Sequence, residues 1–280
     1  MACPQPEEDP VYAALHGGLE VVPGHFSYHA MTEPDAIFEH FGRTEKDWNA
    51  FVKGIRHENR PNTKVLYFLR HAEGEHNAAK IRLGADVWFR DVAITNEYLD
   101  ARLTVKGEAA AAKAALRMQT ELEAGMPLEK VILSPLRRTL QTGTVVFGHQ
   151  IGKVPFVAME LCRETMGMHT CDKRSPISEM AAMFPMVDFS DITEETDSLW
   201  RSDVRETRDE IQARAVEFLK HVFAHVPETF IAVTSHVGFI GACLRVLEQT
   251  EYRLNNCEIV PVVIQLHEHC RSPLKPRPAE

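Results

Sequence analysis

Residues 64–77, KVLYFLRHAEGEHN, decide the fold. Val65, Leu66, Tyr67, Phe68 and Leu69 form an unbroken apolar run, too short for a core helix and rich in β-forming side chains, which predicts a strand buried on both faces. The run ends on Arg70 and His71, so a strand terminus delivers a guanidinium and an imidazole side by side. Similar runs recur at KVIL (130–133), KVPFVAM (153–159), TFIAVTS (229–235) and VPVVIQL (260–266). Helical patterns lie between or beside them at 104–124, 135–147, 205–226 and 238–247. In the third, Ile211, Ala215, Phe218, Leu219, Val222 and Val226 recur at spacings of three and four and mark a buried face. Strands alternating with helices predict a mostly parallel sheet covered on both sides, a three-layer α/β/α fold.

Three strand ends then carry polar groups of one kind. Arg70 and His71 follow the first strand, residues 134–138 (SPLRR) follow the second, and His236 follows TFIAVTS. Ligands of open parallel sheets bind outside the carboxyl ends of the strands, so these groups are expected to converge. An arginine presents a planar fork of donors that matches phosphate oxygens. A neutral imidazole among such groups can attack phosphorus through its lone-pair nitrogen. A single strand-end histidine would be unremarkable core chemistry; two beside paired arginines point to a phosphate pocket.

Composition narrows the partners. Of 280 residues, 44% are hydrophobic and 25% charged, an ordinary globular balance that excludes collagen-like and disordered classes. The net charge of -9 argues against a broad nucleic-acid or anionic-membrane surface and makes any anion site a local feature. The N-terminal MACPQPEEDP lacks the basic and apolar blocks of a secretory signal, and no long apolar run occurs, so a cytoplasmic protein is expected. Six scattered cysteines without a C-x-x-C pair suggest reduced thiols. The HEHC at 267–270 lacks metal-site spacing, and no Gly-rich nucleotide loop is found, so neither a metal nor another cofactor is expected.

The chain divides into an N-terminal extension (1–63) whose aromatics, among them Phe41, Trp48 and Phe51, predict packing on the main domain; the domain itself (64–270); and a Pro-rich tail (271–280) expected to be disordered. Residues 166–203 show no long periodic element and read as a lid-like insertion or recognition loop.

The motifs resemble those of the histidine phosphatase, or phosphoglycerate mutase-like, superfamily. LRHAEGEHN (69–77) is similar to its R-H-G-E-x-x-x-N, DARLTVKG (100–107) to D-x-x-L-T-x-x-G, SPLRRTLQT (134–142) to S-P-L-x-R-x-x-x-T, and LCRETMG (161–167) and VTSHVGF (233–239) to the segments bearing the acid and the second histidine. FGRTEKDWNAF (41–51), CDKR (171–174) and residues 188–207 further resemble a phosphoglycerate mutase-like branch of fungi and plants. Ala72 and Val237 depart from the commoner glycine and from serine or glycine, without loss of a charged group.

The resemblance implies His71 as nucleophile, Arg70, Arg138 and His236 around the phosphoryl oxygens, Glu164 as proton donor, and Asn77 and the Val237 N–H as further phosphate donors. Asp172, Lys173, Arg174, Asp203 and Arg205 stand as substrate contacts or internal ion pairs. The implied activity is hydrolysis of a small soluble phosphate monoester through a phosphohistidine. Two other readings compete: a phosphoglycerate mutase, disfavoured because the G-W-x-D stretch and L-N-E-R-H-Y-G pattern of glycolytic mutases are missing, and a non-catalytic phosphate-binding protein. The ester's identity and the oligomeric state are not legible in the sequence.

Overall fold

The computed structural model describes residues 18–26, 40–45, 47–57, 62–247 and 253–266. Six strands, β1 (Leu19–Val21), β2 (Thr63–Arg70), β3 (Lys130–Leu133), β4 (Phe156–Ala158), β5 (Phe230–Ser235) and β6 (Ile259–Leu266), form one sheet in the order β1-β6-β2-β5-β3-β4. The pairs β2–β5, β3–β5 and β3–β4 are parallel, whereas β6 runs antiparallel to β2 and β1 antiparallel to β6. The sheet is therefore mixed at one side and parallel where the site lies.

The strand period of two explains the layering. Val65, Tyr67 and Leu69 of β2 enter one apolar cluster while Leu66 and Phe68 enter another, so both faces of the strand are buried. The first face is covered by α1 (Trp48–His57), α3 (Val105–Glu123) and α4 (Arg137–Val146); the second by α6 (Arg208–His225) and α7 (Val237–Val246). A three-layer α/β/α fold follows. Helices α2 (Glu75–Leu83) and α5 (Ile177–Met183) complete the set used below.

Several boundaries differ from the sequence reading for physical reasons. The pattern from 205 becomes helical only at Arg208: Thr207 caps the helix, its hydroxyl accepting from the Glu210 N–H, while Arg205 and Glu206 are tied to the loop at Met166 and Gly167. Within 1–63, Leu19–Val21 add an edge strand that the sequence reading omits, and Trp48 packs its indole in the core with Nε1 donating to buried Glu121. The tail at 271–280, the HEHC stretch, Cys3 and Cys270 lie outside the described residues; Cys162, Cys171, Cys243 and Cys257 are free, buried thiols. Among the described residues no helix is long and apolar enough to cross a membrane.

The 166–203 segment is packed rather than open. Phe184, Val187, Phe189 and Ile192 join the first core cluster. Arg163, fully buried, holds Asp197 through two guanidinium nitrogens, and Arg174 pairs with Glu160 while donating to the carbonyls of Glu194 and Glu195. The clamp fixes Thr170, Cys171 and Asp172 against the sheet end.

Candidate active site

The parallel register places the polar strand ends together. Arg70 lies opposite Ser235 across β2–β5 and Leu133 opposite Thr234 across β3–β5, so His71, Ser134 and His236 emerge at one level. The His71 N–H donates to the Ser235 carbonyl and the Ser134 N–H to that of Thr234, extending the ladders to the reactive groups. The two ends of the DARLTVKG motif brace the loops after β2 and β3. Gly107 lies against the Glu73 carbonyl, where a Cβ would approach to 2.1 Å, and Asp100 accepts from the backbone N–H groups of Arg137 and Ser175.

His71 is 2% exposed, and its Nδ1 sits 2.7 Å from the Ala72 carbonyl. A carbonyl only accepts, so Nδ1 carries the proton and Nε2 keeps the lone pair. Burial, then the charges of Arg138 and Arg70, hold the imidazole pKa well below its ordinary range. His236 lies 5.1 Å from His71 between ring centroids, its Nε2 hydrogen-bonded to Ser134 Oγ. Burial and Arg138 likewise keep it neutral.

The arginines are anchored without being used up. Arg70 donates to the Leu254 carbonyl; Arg138, 1% exposed, donates to the Cys171 carbonyl and to Asp172 Oδ1. Asp172 Oδ2 takes a second donor from Arg205. Arg70 Nε, Arg138 Nε and His236 Nδ1 are buried with no protein partner. Buried polar atoms are rarely left unpaired, and here two of the three are cationic donors of one site, which an oxyanion would satisfy.

A cavity of about 640 Å³ opens over this cluster, its wall including Arg70, His71, Asn77, Arg138, Glu164 and Val237. Glu164 Oε1 accepts from the Thr165 N–H and Oε2 from that of Gly238 at 3.4 Å, which turns the carboxylate to the first turn of α7. Val237 is the first residue of that helix, so its N–H has no intrahelical acceptor and fits an anion site. Asn77 is largely engaged elsewhere: Oδ1 accepts from the Gly74 N–H, and Nδ2 donates to His76 Nε2, leaving one amide N–H.

Of the residues left open between substrate contact and ion pairing, Asp172, Arg174 and Arg205 form ion pairs inside the fold, and Asp203 pairs with Arg201 at the surface. Lys173 lies over the Trp200 ring. Sequence reasoning missed His76, a buried histidine 5.8 Å from His71 with an unpartnered Nδ1. Its only signal was its place on the first turn after the RH loop. Among the described residues no group of three or more His, Cys, Asp or Glu is arranged to hold a metal ion.

The family model for the histidine phosphatase superfamily, branch 1, matches residues 66–268. The chain belongs to the histidine phosphatase superfamily. A phosphoglycerate mutase-like protein of Arabidopsis thaliana is 32% identical over 72% of this chain and 84% of its own length. A probable phosphoglycerate mutase of Saccharomyces cerevisiae is 29% identical over 89% and 96%. Among solved structures, a mycobacterial glucosyl-3-phosphoglycerate phosphatase in complex with VO3 is similar at 20% identity, covering 73% of this chain and 97% of that one with a TM-score of 0.45. The family is named for phosphatases and the two relatives for mutases, and this chain is an enzyme of that phosphatase or mutase kind.

Proposed function

We propose that this histidine phosphatase hydrolyses a small phosphate monoester through a phosphohistidine on His71. The observation that carries the reading is the neutral His71 with its Nε2 lone pair free, set beside two anchored arginines whose Nε–H groups lack partners. In the first half-reaction Nε2 attacks phosphorus in line and the bond to the ester oxygen breaks. Arg70, Arg138 and His236 hold the three equatorial oxygens, and the leaving oxygen takes a proton from Glu164. In the second, water attacks the phosphohistidine, Glu164 accepts its proton, and phosphate leaves as His71 is restored. Positioning and electrostatics dominate such transfers, and proton transfer by Glu164 adds about 10²- to 10⁴-fold. The reaction so written uses only side chains of this protein, and the Val237 N–H and the remaining Asn77 amide N–H serve as further donors.

The test is phosphate release from para-nitrophenyl phosphate and from sugar, glycerate, nucleotide and inositol phosphates, with chelator present, by wild type and His71→Ala. Chelator-resistant turnover abolished in the variant supports the reading. Interconversion of phosphoglycerates without net phosphate release would replace it with the mutase.

A further inference from the structure

Glu164 rides on a loop between β4 and α5, and the protein grips that loop from α6. Arg214, on the second turn of α6, is only 8% exposed. Its Nη1 donates to the carbonyls of Leu161 and Arg163 at 2.9 and 2.8 Å, and Nη2 to that of Glu164 at 3.0 Å. Nε and Nη2 also donate to the two carboxylate oxygens of Glu206, at 2.8 and 2.7 Å. A guanidinium carries five N–H groups, and each of these has an acceptor.

Glu206 closes the grip from the other side. Its Oε2 accepts from the Met166 N–H at 3.0 Å, and its own N–H donates to the Met166 carbonyl at 2.9 Å. The backbone is therefore held at 161, 163, 164 and 166, on both sides of the acid. Just beyond, Gly167, at φ +86°, presses against the Val204 carbonyl with no room for a side chain, and the Met168 N–H donates to the Arg201 carbonyl at 2.8 Å. The Arg214 guanidinium carbon also stands 5.2 Å from the centroid of the Phe239 ring, on α7. Phe239 follows Gly238, whose N–H meets Glu164 Oε2. One side chain thus touches both supports whose relative position aims the carboxylate. Neither Arg214 nor Glu206 lines the cavity over His71, so neither meets the substrate.

We propose that Arg214 and Glu206 are positioning residues for the general acid: they fix residues 161–166 against α6 and α7, set the Glu164 carboxyl at the leaving oxygen of the ester, and act on catalysis through Glu164. The inference rests on the phosphohydrolase reading. Buried ion pairs are often no more stabilising than apolar side chains of like volume; what a fully engaged fork supplies is one geometry. A lysine offers three donors from a single point and cannot span three carbonyls and a carboxylate. A shift of about 1 Å in a catalytic group can cost about 10²-fold in rate, so loosening this clamp is felt at the acid without any contact to substrate.

The test compares kcat/KM for para-nitrophenyl phosphate, whose leaving group needs no proton, with that for an alkyl monophosphate, whose leaving group does. The readout is the aryl-to-alkyl ratio, which cancels any general loss of folded enzyme. It is measured in Arg214→Gln, Arg214→Lys and Glu206→Gln, each alone and combined with Glu164→Gln. Arg214→Gln should raise the ratio about 10- to 100-fold, and Arg214→Lys and Glu206→Gln by less. In the Glu164→Gln background none of the three should move it further, because residues acting through one group are not additive. Should Arg214→Gln fail to fold, the other two variants carry the same comparison. A ratio unmoved in every variant while Tm falls, or one that still rises in the Glu164→Gln background, would overturn the proposal and leave the phosphohydrolase standing. A ratio unmoved by Glu164→Gln itself would remove the acid assignment, and absence of His71-dependent turnover the phosphohydrolase reading; this inference falls with either.

Discussion

Asp172→Asn probes the electrostatic frame of the site most severely. The carboxylate is 5% exposed and bridges Arg138 and Arg205, at 2.9 Å to each. An amide keeps the shape, removes the charge and turns an N–H donor toward one guanidinium. Arg138 is then a buried cation whose remaining protein acceptor is the Cys171 carbonyl. Breaking a buried pair by removing one partner costs roughly 3–5 kcal/mol. For a chain of this size that corresponds to a fall in Tm of roughly 6–20 °C. The deficit has a signature: the site becomes more positive, so an oxyanion replaces the lost charge. Thermal unfolding with and without saturating orthovanadate should show a larger ligand-induced rise in Tm for the variant than for wild type. A loss under about 1 kcal/mol, in the range of an exposed pair, would refute the reasoning. So would an equal or smaller vanadate shift in the variant.

Two further outcomes are expected. His71, His76 and His236 all have pKa values pushed well below the ordinary histidine range, chiefly by burial and then by Arg138. Below about pH 6.5 the unfolded chain binds protons that the folded chain refuses, so stability is full above that pH and falls as the solution is acidified, by up to about 1.4 kcal/mol per pH unit for each histidine. Urea midpoints at pH 7.5 and 5.5 check this, and His76→Phe should flatten the slope by up to one proton; a midpoint unchanged on acidification would contradict it. At Gly238 an added Cβ would stand 2.1 Å from Glu164 Oε1 and displace a flexible carboxylate rather than backbone. Gly238→Ala should therefore keep or raise Tm, since alanine favours a helix by about 1 kcal/mol, yet lower kcat/KM, which reports the steps through departure of the leaving group, far more for alkyl phosphate esters than for para-nitrophenyl phosphate, whose leaving group needs no acid. Equal slowing of both substrates would remove Glu164 from the proton-donor role.

Where a residue's surroundings were local, the sequence was a sufficient guide. The apolar run before Arg70 and the one before His236 announce buried strands, and the strand-end rule then brings Arg70, His71, His236 and the pair Arg137 and Arg138 to one place, the choice of Arg138 coming from the family resemblance. What escaped depends on contacts distant in the chain. The Leu19–Val21 strand has too few residues for any period and is defined by pairing with Leu266, Gln265 and Ile264. Asp172 was open between ligand and ion pair because its choice rests on Arg138 and Arg205, 34 and 33 residues away. The packing of 166–203 hinges on Arg163 meeting Asp197, another separation of 34 residues. His76 lacked any period or partner in the sequence, and only burial beside His71 marks it.

The phosphohistidine is tested most directly by rapid acid-free quenching of the enzyme with a ³²P-labelled ester, followed by peptide mapping. The expected result is a transient label on the peptide carrying His71, stable to base and labile to acid, that forms at least as fast as steady-state turnover and is lost in His71→Ala. Turnover by wild type with no label on that peptide, or turnover surviving in His71→Ala, would contradict it.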